Sequence, residues 1–580
     1  MQVNYKRGLL GATLLVIIFL AFSIGAGPAF AAHAASPISA NVEATTGPPL
    51  QPVPPPPMGW SSWNSFSNTV GSAVIMQQTN ALVATGMRKA GYRYINLDEG
   101  WWLGKRDKDG NIIVDPKQWP PITPGERAGD MSNIVKYIHN SGLKAGIYTD
   151  AGEAGCSFYG PDIGPRMLHT GSEGHYDQDF LQFAKWGFDY VKVDWCGGNS
   201  ENLDPAVQYT AVARAIERAE KITGHSLFFS ICNWGKQSPW TWAPGIGGVR
   251  SDIWRTSGDI VNPIVANSIR SKGQVNFPKV VSNFDQGIRP EAQHTGFYND
   301  PDMMVVGMPG MSEVQDRVHL SLWAISGAPL MEGADLTKLN QATISSLTNP
   351  EMIAIDQDSL GLQAILAAQP GPGLQVWSKP LAHVGEHAVV LLNRTDTAAP
   401  ITVTWSEIGL KPSSSAMVRD IWARKSLGSH PVSYTATVPA GDALMLTVRG
   451  ADENGTRYQA EPANTQLKEE EADAPCGSSP AETSAAIGGR RTLSFKVAPG
   501  QESAYIQISY INAGSRARIA ELKVNEQIPT IIDFPPTGGK DGAVSIEANL
   551  DHTTKNNLLT FSSCVPDPEI KSITVLASRH

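Results

Sequence analysis

Acidic side chains recur at one kind of place in this chain, directly after a short apolar run. Asp98 and Glu99 follow Tyr92–Leu97, and Asp150 follows Lys144–Thr149. Asp194 follows Tyr190–Val193, Asn233 lies just past Leu227–Ile231, and Asp259 lies just past Ile253–Thr256. Lys192 stands two residues before Asp194, on the same face of a strand. Its ammonium there favours the ionised carboxylate. Ser257-Gly258 permits a tight turn that aims Asp259. Two carboxyls on rigid elements can divide one reaction between them. The ionised one attacks as a nucleophile, and the protonated one serves as general acid and then as base. Asp and Asn also cap helices, which explains one or two such positions but not acids and aromatics gathered on four or five loops. No Cys/His cluster has zinc-ligand spacing and no His joins the carboxylates, so no metal site is assigned.

These residues need a scaffold that ends several strands at one face. The apolar runs Met58–Trp60, Tyr92–Leu97, Lys144–Thr149, Tyr190–Val193, Leu227–Ile231, Ile253–Thr256, Met303–Val306 and Pro329–Met331 read as strands. Between several of them apolar residues fall at helical spacing, as in Ile134, Tyr137 and Ile138, or Val207, Ala211, Val212, Ala215 and Ile216. Eight strands alternating with helices over residues 58–362 predict an α/β fold, a (β/α)8 TIM barrel. In that fold, catalytic groups lie at the C-terminal ends of the strands. Beyond it the pattern shortens to Leu374–Trp377, Ala388–Leu392, Ile401–Trp405 and Ala443–Val448, separated by turn residues. This predicts an antiparallel β-sandwich domain over 363–450. Residues 462–485 are acidic and polar. Alternation then returns at Ile506, Ile508 and Tyr510, predicting a further C-terminal β-sandwich module within 451–580.

The whole chain has 580 residues, too many for one core. Its 41% hydrophobic and 17% charged residues are those of an ordinary globular protein. A formal net charge of −9 argues against a nucleic-acid partner, which requires a basic field. Lys6 and Arg7 precede an apolar run from Leu9 to Ile24, followed by Ala29-Phe30-Ala31 and Ala32-His33-Ala34. Residues 1–34 therefore read as a secretory signal peptide, with an uncleaved N-terminal anchor as the rival reading, and 35–57 as a Pro-rich spacer ending in Pro54–Pro57, with order beginning at Met58. No other segment reaches the ~18 apolar residues of a membrane span. The expectation is a secreted, extracytoplasmic protein with no membrane contact after signal cleavage, monomeric or homodimeric. Five cysteines are too few for a disulfide scaffold, though export permits a bridge or two. Cys232, in an apolar strand, reads as a buried free thiol.

Six segments, in order, carry a specific resemblance. They are Met58-Gly59-Trp60-Ser61-Ser62-Trp63-Asn64-Ser65-Phe66, Asn96-Leu97-Asp98-Glu99-Gly100-Trp101, Gly146-Ile147-Tyr148-Thr149-Asp150-Ala151-Gly152, Tyr190-Val191-Lys192-Val193-Asp194-Trp195-Cys196, Trp254-Arg255-Thr256-Ser257-Gly258-Asp259-Ile260 and Asn299-Asp300-Pro301-Asp302-Met303. Over residues 58 to about 450 the chain resembles glycoside hydrolase family 27, which contains α-galactosidases and α-N-acetylgalactosaminidases. The resemblance implies a retaining exo-glycosidase acting on terminal α-D-galactosyl groups of oligosaccharides or galactomannans. It implies Asp194 as nucleophile and Asp259 as acid/base. It implies Asp98 and Glu99 at the 4- and 6-hydroxyls, and Lys192 and Arg255 at the 2- and 3-hydroxyls. Trp63 and Tyr148 would line the wall, and Asp302 and Met303 the opposite rim. It also implies a Cys156–Cys196 disulfide and no required cofactor.

Two substitutions depart from the family pattern. Glu99 stands where the family usually has Asp, and its extra methylene would crowd C6 of galactose. That makes a β-L-arabinopyranosidase the alternative, since the pentopyranose keeps the ring stereochemistry without C6. Asn233 stands where the family usually has Glu against the 2-hydroxyl. It can still hydrogen-bond a hydroxyl, but it is too large for a convincing acetamido pocket, so an α-N-acetylgalactosaminidase ranks lower. A non-catalytic sugar-binding protein ranks lower too, because both acids are present. Tyr298 replaces a usual Trp. The last module resembles β-sandwich carbohydrate-binding modules, some of which hold a structural Ca²⁺; no ligands for one are assigned.

Overall fold

A computed structural model describes residues 54–156, 170–243, 251–261, 275–293, 296–452, 456–460, 465–470, 490–498, 504–514, 518–551, 553–554, 556–564 and 568–575. The leader, the spacer up to residue 53 and Cys476 lie outside the described residues, as does the side chain of Cys564. Among the described residues no helix is long and apolar enough to cross a membrane.

The first ten strands are β1 (Met58–Ser61), β2 (Tyr94–Asn96), β3 (Trp102–Arg106), β4 (Ile112–Val114), β5 (Lys144–Asp150), β6 (Tyr190–Asp194), β7 (Phe228–Cys232), β8 (Ile253–Arg255), β9 (Tyr298–Asp300) and β10 (Leu330–Glu332). Strands β3 and β4 form a separate antiparallel hairpin. The other eight make one parallel sheet in the order β10-β1-β2-β5-β6-β7-β8-β9. A parallel bridge between Met304 and Glu332 joins its two ends, with Met304 N–H donating to Met331 O at 2.7 Å. The sheet thus closes into the expected barrel. The seventh strand is the exception in placement. The apolar run Met303–Val306 reads as a strand, yet the strand is Tyr298–Asp300, which pairs with β8. Met304–Val306 are buried all the same, because they pack the closing seam.

The helices follow sequence logic. Pro205–Thr223 starts with Asp204 accepting the Val207 N–H, carries Pro at its first turn and stops at Gly224 in the left-handed region. Its inner face is Tyr209, Val212, Ala213, Ala215, Ile216 and Ala219, whereas Val207 is exposed. Met58 is not the first ordered residue. Pro56 and Pro57 are buried. The carbonyls of Pro54, Pro56 and Pro57 accept hydrogen bonds from Tyr298 Oη (2.7 Å), Gln357 Nε2 (3.0 Å) and Leu330 N–H (3.0 Å). Proline has no N–H to satisfy, so the hydrogen bonds of this segment run through its carbonyls, while Pro56 and Pro57 are also buried.

The antiparallel part that follows has a six-stranded sheet in the order Ile365–Gly371, Leu374–Pro380, Glu386–Asn393, Ala443–Arg449, Ser415–Asp420, Lys425–Pro431. A two-stranded sheet, Ala399–Thr404 with Ser433–Val438, covers it. The C-terminal module has a four-stranded and a five-stranded sheet, which share one core that includes Phe495, Ile508, Phe534 and Phe561. Tyr505 leaves that core. Its Oη faces the carbonyls of Gln363 (3.1 Å) and Ser378 (3.3 Å), and its ring packs with Leu360 and Leu362.

Candidate active site

Parallel strands end on one side of a barrel, and the carboxylates gather there. Asp194 ends β6, in register with Asp150 at the end of β5 and Cys232 at the end of β7. Arg255 ends β8, in register with Asp300. A cavity of about 370 Å³ opens above these ends, within the range of ligand pockets. Asp194 and Asp259 both line it. So do Trp63, Asp98, Glu99, Tyr148, Lys192, Arg255, Asp302 and Met303.

Asp194 is nearly fully buried. The Trp195 N–H donates to its Oδ1 at 2.9 Å, and Lys192 Nζ lies 3.6 Å from its Oδ2. Burial pushes its carboxyl up, and the charges of Asp259 and Asp98 push the same way, while Lys192 and the Trp195 amide oppose them. The net direction is upward. The ammonium alone led to the opposite expectation, but desolvation outweighs it. Lys192 sits closer to Asp98 Oδ2, at 2.9 Å. Burial works against its charge, yet Asp98 and Asp194 outweigh that and hold the ammonium well above its ordinary value. Asp98 is itself oriented: its N–H donates to Ser62 Oγ at 2.9 Å, and its Oδ1 accepts the Glu99 N–H at 2.8 Å.

Asp259 is held from beneath. Arg255 Nη2 reaches its Oδ1 at 3.2 Å, and Arg255 Nη1 reaches Asp302 Oδ1 at 3.0 Å. The other oxygen of Asp302 accepts the Ile260 N–H at 2.7 Å. Asn283 Nδ2 donates to Gly258 O (2.7 Å) and Pro301 O (2.8 Å). The turn carrying Asp259 is thus tied on both sides of that residue. Asp302 adopts φ +110°, a strained value for a residue with a Cβ. It is retained where one carboxylate holds both an arginine and a backbone amide.

Asp150 does not face the cavity. Its carboxylate accepts the N–H groups of Gly152 (2.7 Å), Cys196 (2.7 Å) and Gly197 (3.1 Å). It fastens the loop after β5 to the loop after β6. The Cys156–Cys196 disulfide joins the same loops, with a Cα–Cα distance of 4.9 Å. Those two cysteines and the carboxylates of Asp150 and Asp194 converge, but bonded sulfurs are not thiolate ligands. Cys232 is a buried free thiol.

Asn233 is the one nominated binding residue outside the lining. It is fully buried, and its Nδ2 donates to Lys236 O at 2.8 Å. An Asn bonding its own backbone a few residues on makes a turn, and here that turn presents the next residue instead. Trp234, at φ +57°, lines the cavity. Asn64 and Val261 also line it without having been singled out. Asn64 follows Trp63 in a quoted segment, so proximity could have flagged it. Trp60 and Trp101 are fully buried core residues.

A family model described as "Alpha galactosidase A" matches residues 55–358. The chain belongs to the alpha galactosidase A family. A second model, the alpha galactosidase C-terminal beta sandwich domain, matches 371–448, and a third, an alpha-galactosidase CBM13 domain, matches 492–575. The probable alpha-galactosidase of Dictyostelium discoideum is 37% identical over 401 residues, covering 68% of this chain and 92% of that protein. The alpha-galactosidase of Oryza sativa subsp. japonica is 38% identical over 394 residues, covering 68% and 84%. The crystal structure of alpha-galactosidase I from Mortierella vinacea superposes with a TM-score of 0.58 at 31% identity, covering 69% of this chain and 98% of that one.

Proposed function

We propose that this chain hydrolyses terminal, non-reducing α-D-galactosyl groups with retention of configuration. The observation that carries the reading is the convergence of Asp194 and Asp259 on one cavity also lined by Asp98, Glu99, Lys192 and Arg255. Retention requires two carboxyls about 5–5.5 Å apart. In the first step an Asp194 oxygen bonds the anomeric carbon while the glycosidic C–O bond breaks, and Asp259 gives its proton to the leaving oxygen. In the second step Asp259 takes a proton from water, the water oxygen bonds the anomeric carbon, and the bond to Asp194 breaks. Lys192 and Arg255 offer charged donors to ring hydroxyls, while Asp98 and Glu99 offer acceptors. Burial and the surrounding carboxylates keep the Tyr148 phenol protonated, hence a donor.

The arabinopyranosidase alternative suggested by Glu99 has less support, since the Dictyostelium and Oryza relatives are alpha-galactosidases by name. An exported location is supported by the disulfide and by the Leu9–Ile24 run.

The test is hydrolysis of p-nitrophenyl α-D-galactopyranoside, with the product anomer read by NMR. The wild type is expected to release the α-anomer first. Asp194→Ala should lose about 10⁴-fold or more in kcat/KM. Asp259→Ala should lose about 10²–10⁴-fold. Initial release of the β-anomer would remove Asp194 from the nucleophile role.

A further inference from the structure

Glu99 is fully buried and is one of the residues lining the cavity. Its Oε1 lies over the bare Cα of Gly155. A Cβ placed on Gly155 would stand 2.2 Å from that oxygen and 3.2 Å from Trp102 Cζ2. Gly155 does not adopt a positive φ. Its backbone conformation therefore does not call for glycine, and the demand for a missing side chain is one of space.

Little around this contact can give way. Gly155 precedes Cys156, which is bonded to Cys196. The loop's backbone at Gly152 packs directly on that of Gly197, where a Cβ would stand 2.2 Å from the Gly197 carbonyl carbon. Asp150 holds both segments through three amides. Trp102 is buried and wedged between Trp101 (5.1 Å) and Tyr148 (5.9 Å). Of the groups in contact, the Glu99 carboxylate is the one at the end of an unbranched side chain, and Glu99 is also the one that lines the cavity.

We infer that Gly155 is a specificity-determining residue: its missing side chain lets the Glu99 carboxylate lie back over the loop after β5, leaving room for an exocyclic carbon on the bound sugar. The inference rests on the proposed function only in placing Glu99 at the 6-hydroxyl end. It removes the conflict between a lengthened acid and a hexose substrate. The acid is longer, and the space it takes comes from the loop.

The experiment is a double-mutant cycle of Gly155→Ala and Glu99→Asp in the full chain. It reads the ratio of kcat/KM for p-nitrophenyl α-D-galactopyranoside to that for p-nitrophenyl β-L-arabinopyranoside, which lacks C6. Gly155→Ala should lower this ratio about 10-fold or more, since a displaced carboxylate penalises only the hexose. In the Glu99→Asp background, Gly155→Ala should change the ratio by less than about three-fold, because the shorter acid leaves the glycine free. Equal losses on both substrates, or the same effect in both backgrounds, would overturn the inference. If Gly155→Ala does not fold, the double variant decides. A folded double variant with the ratio of Glu99→Asp supports the coupling, and an unfolded one assigns Gly155 to packing and overturns it. A wild type that prefers the arabinopyranoside overturns the galactosidase reading, while the shift in ratio still reports on Gly155. A wild type that cleaves neither overturns both.

Discussion

Lys192 sits between two carboxylates, 2.9 Å from Asp98 and 3.6 Å from Asp194. Asp194 must be ionised to attack, and its carboxyl is held above the ordinary range chiefly by burial. Activity should therefore be lost as pH falls through that raised value. Lys192 opposes the rise, so Lys192→Met should move the acidic limb of kcat/KM upward by about one pH unit. A pH–rate profile of the two proteins checks this; an unmoved limb would mean that Lys192 serves Asp98 alone. The residues around Asp194 were readable because each follows an apolar run, so one-dimensional order places them at one rim. Asn233 obeyed the same rule and is not among the lining residues; its Nδ2 donates to the Lys236 carbonyl. A local side-chain bond of that kind has no spacing signature. Neither has Asn283, which steadies Gly258 from a helix 25 residues further on.

Strands and loops carry the next level of positioning. Asp150 accepts three amides from two loops. Asp150→Ala would leave all three buried donors unpartnered, at about 1–3 kcal/mol each. The thermal midpoint should fall by at least about 5 °C, with kcat/KM falling alongside because the end of β6 loosens; calorimetry and kinetics on one preparation check both. Glu332, the last residue of β10, accepts the Gly333 and Ala334 amides at 2.9 Å through Oε1. Burial pushes its carboxyl up to about 8. A folded-state value above the unfolded one means that the native chain binds the extra proton. Stability should then be greatest below the unfolded value near 4.5 and decline as pH rises towards about 8. Glu332→Gln should flatten that decline in a series of melting curves, and an unchanged slope would clear Glu332 of the effect. Strand order and most strand positions were legible from apolar runs. The seventh was not, because Met303–Val306 is apolar for packing while the polar Tyr298–Asp300 makes the ladder. Period and composition do not distinguish a buried seam from a buried strand.

At the scale of the molecule, the C-terminal strand Ala504–Ile511 was legible from Ile506, Ile508 and Tyr510, yet Tyr505 and Ser509 on its opposite face are buried as well. Tyr505 lies on that face and meets Gln363 and Ser378. An alternating pattern reports one core and gives no sign that a second surface is covered by a neighbouring domain. Tyr505→Ala removes a buried aromatic worth about 3–5 kcal/mol. It should split the calorimetric trace, with the C-terminal module melting earlier, and leave kcat/KM on a small aryl galactoside within about two-fold. A single unshifted transition would show that other contacts fasten the module.

The proline segment sets a limit on how far the front of the chain can be trimmed. A protease cutting before Pro54 leaves the acceptors of Tyr298, Gln357 and Leu330 in place. A cut after Pro57 strips acceptors from Tyr298, Gln357 and Leu330 together. Those three belong to β9, the segment after the helix Pro350–Asp356, and β10. Four residues with no amide hydrogens thus carry acceptors whose loss would open the barrel.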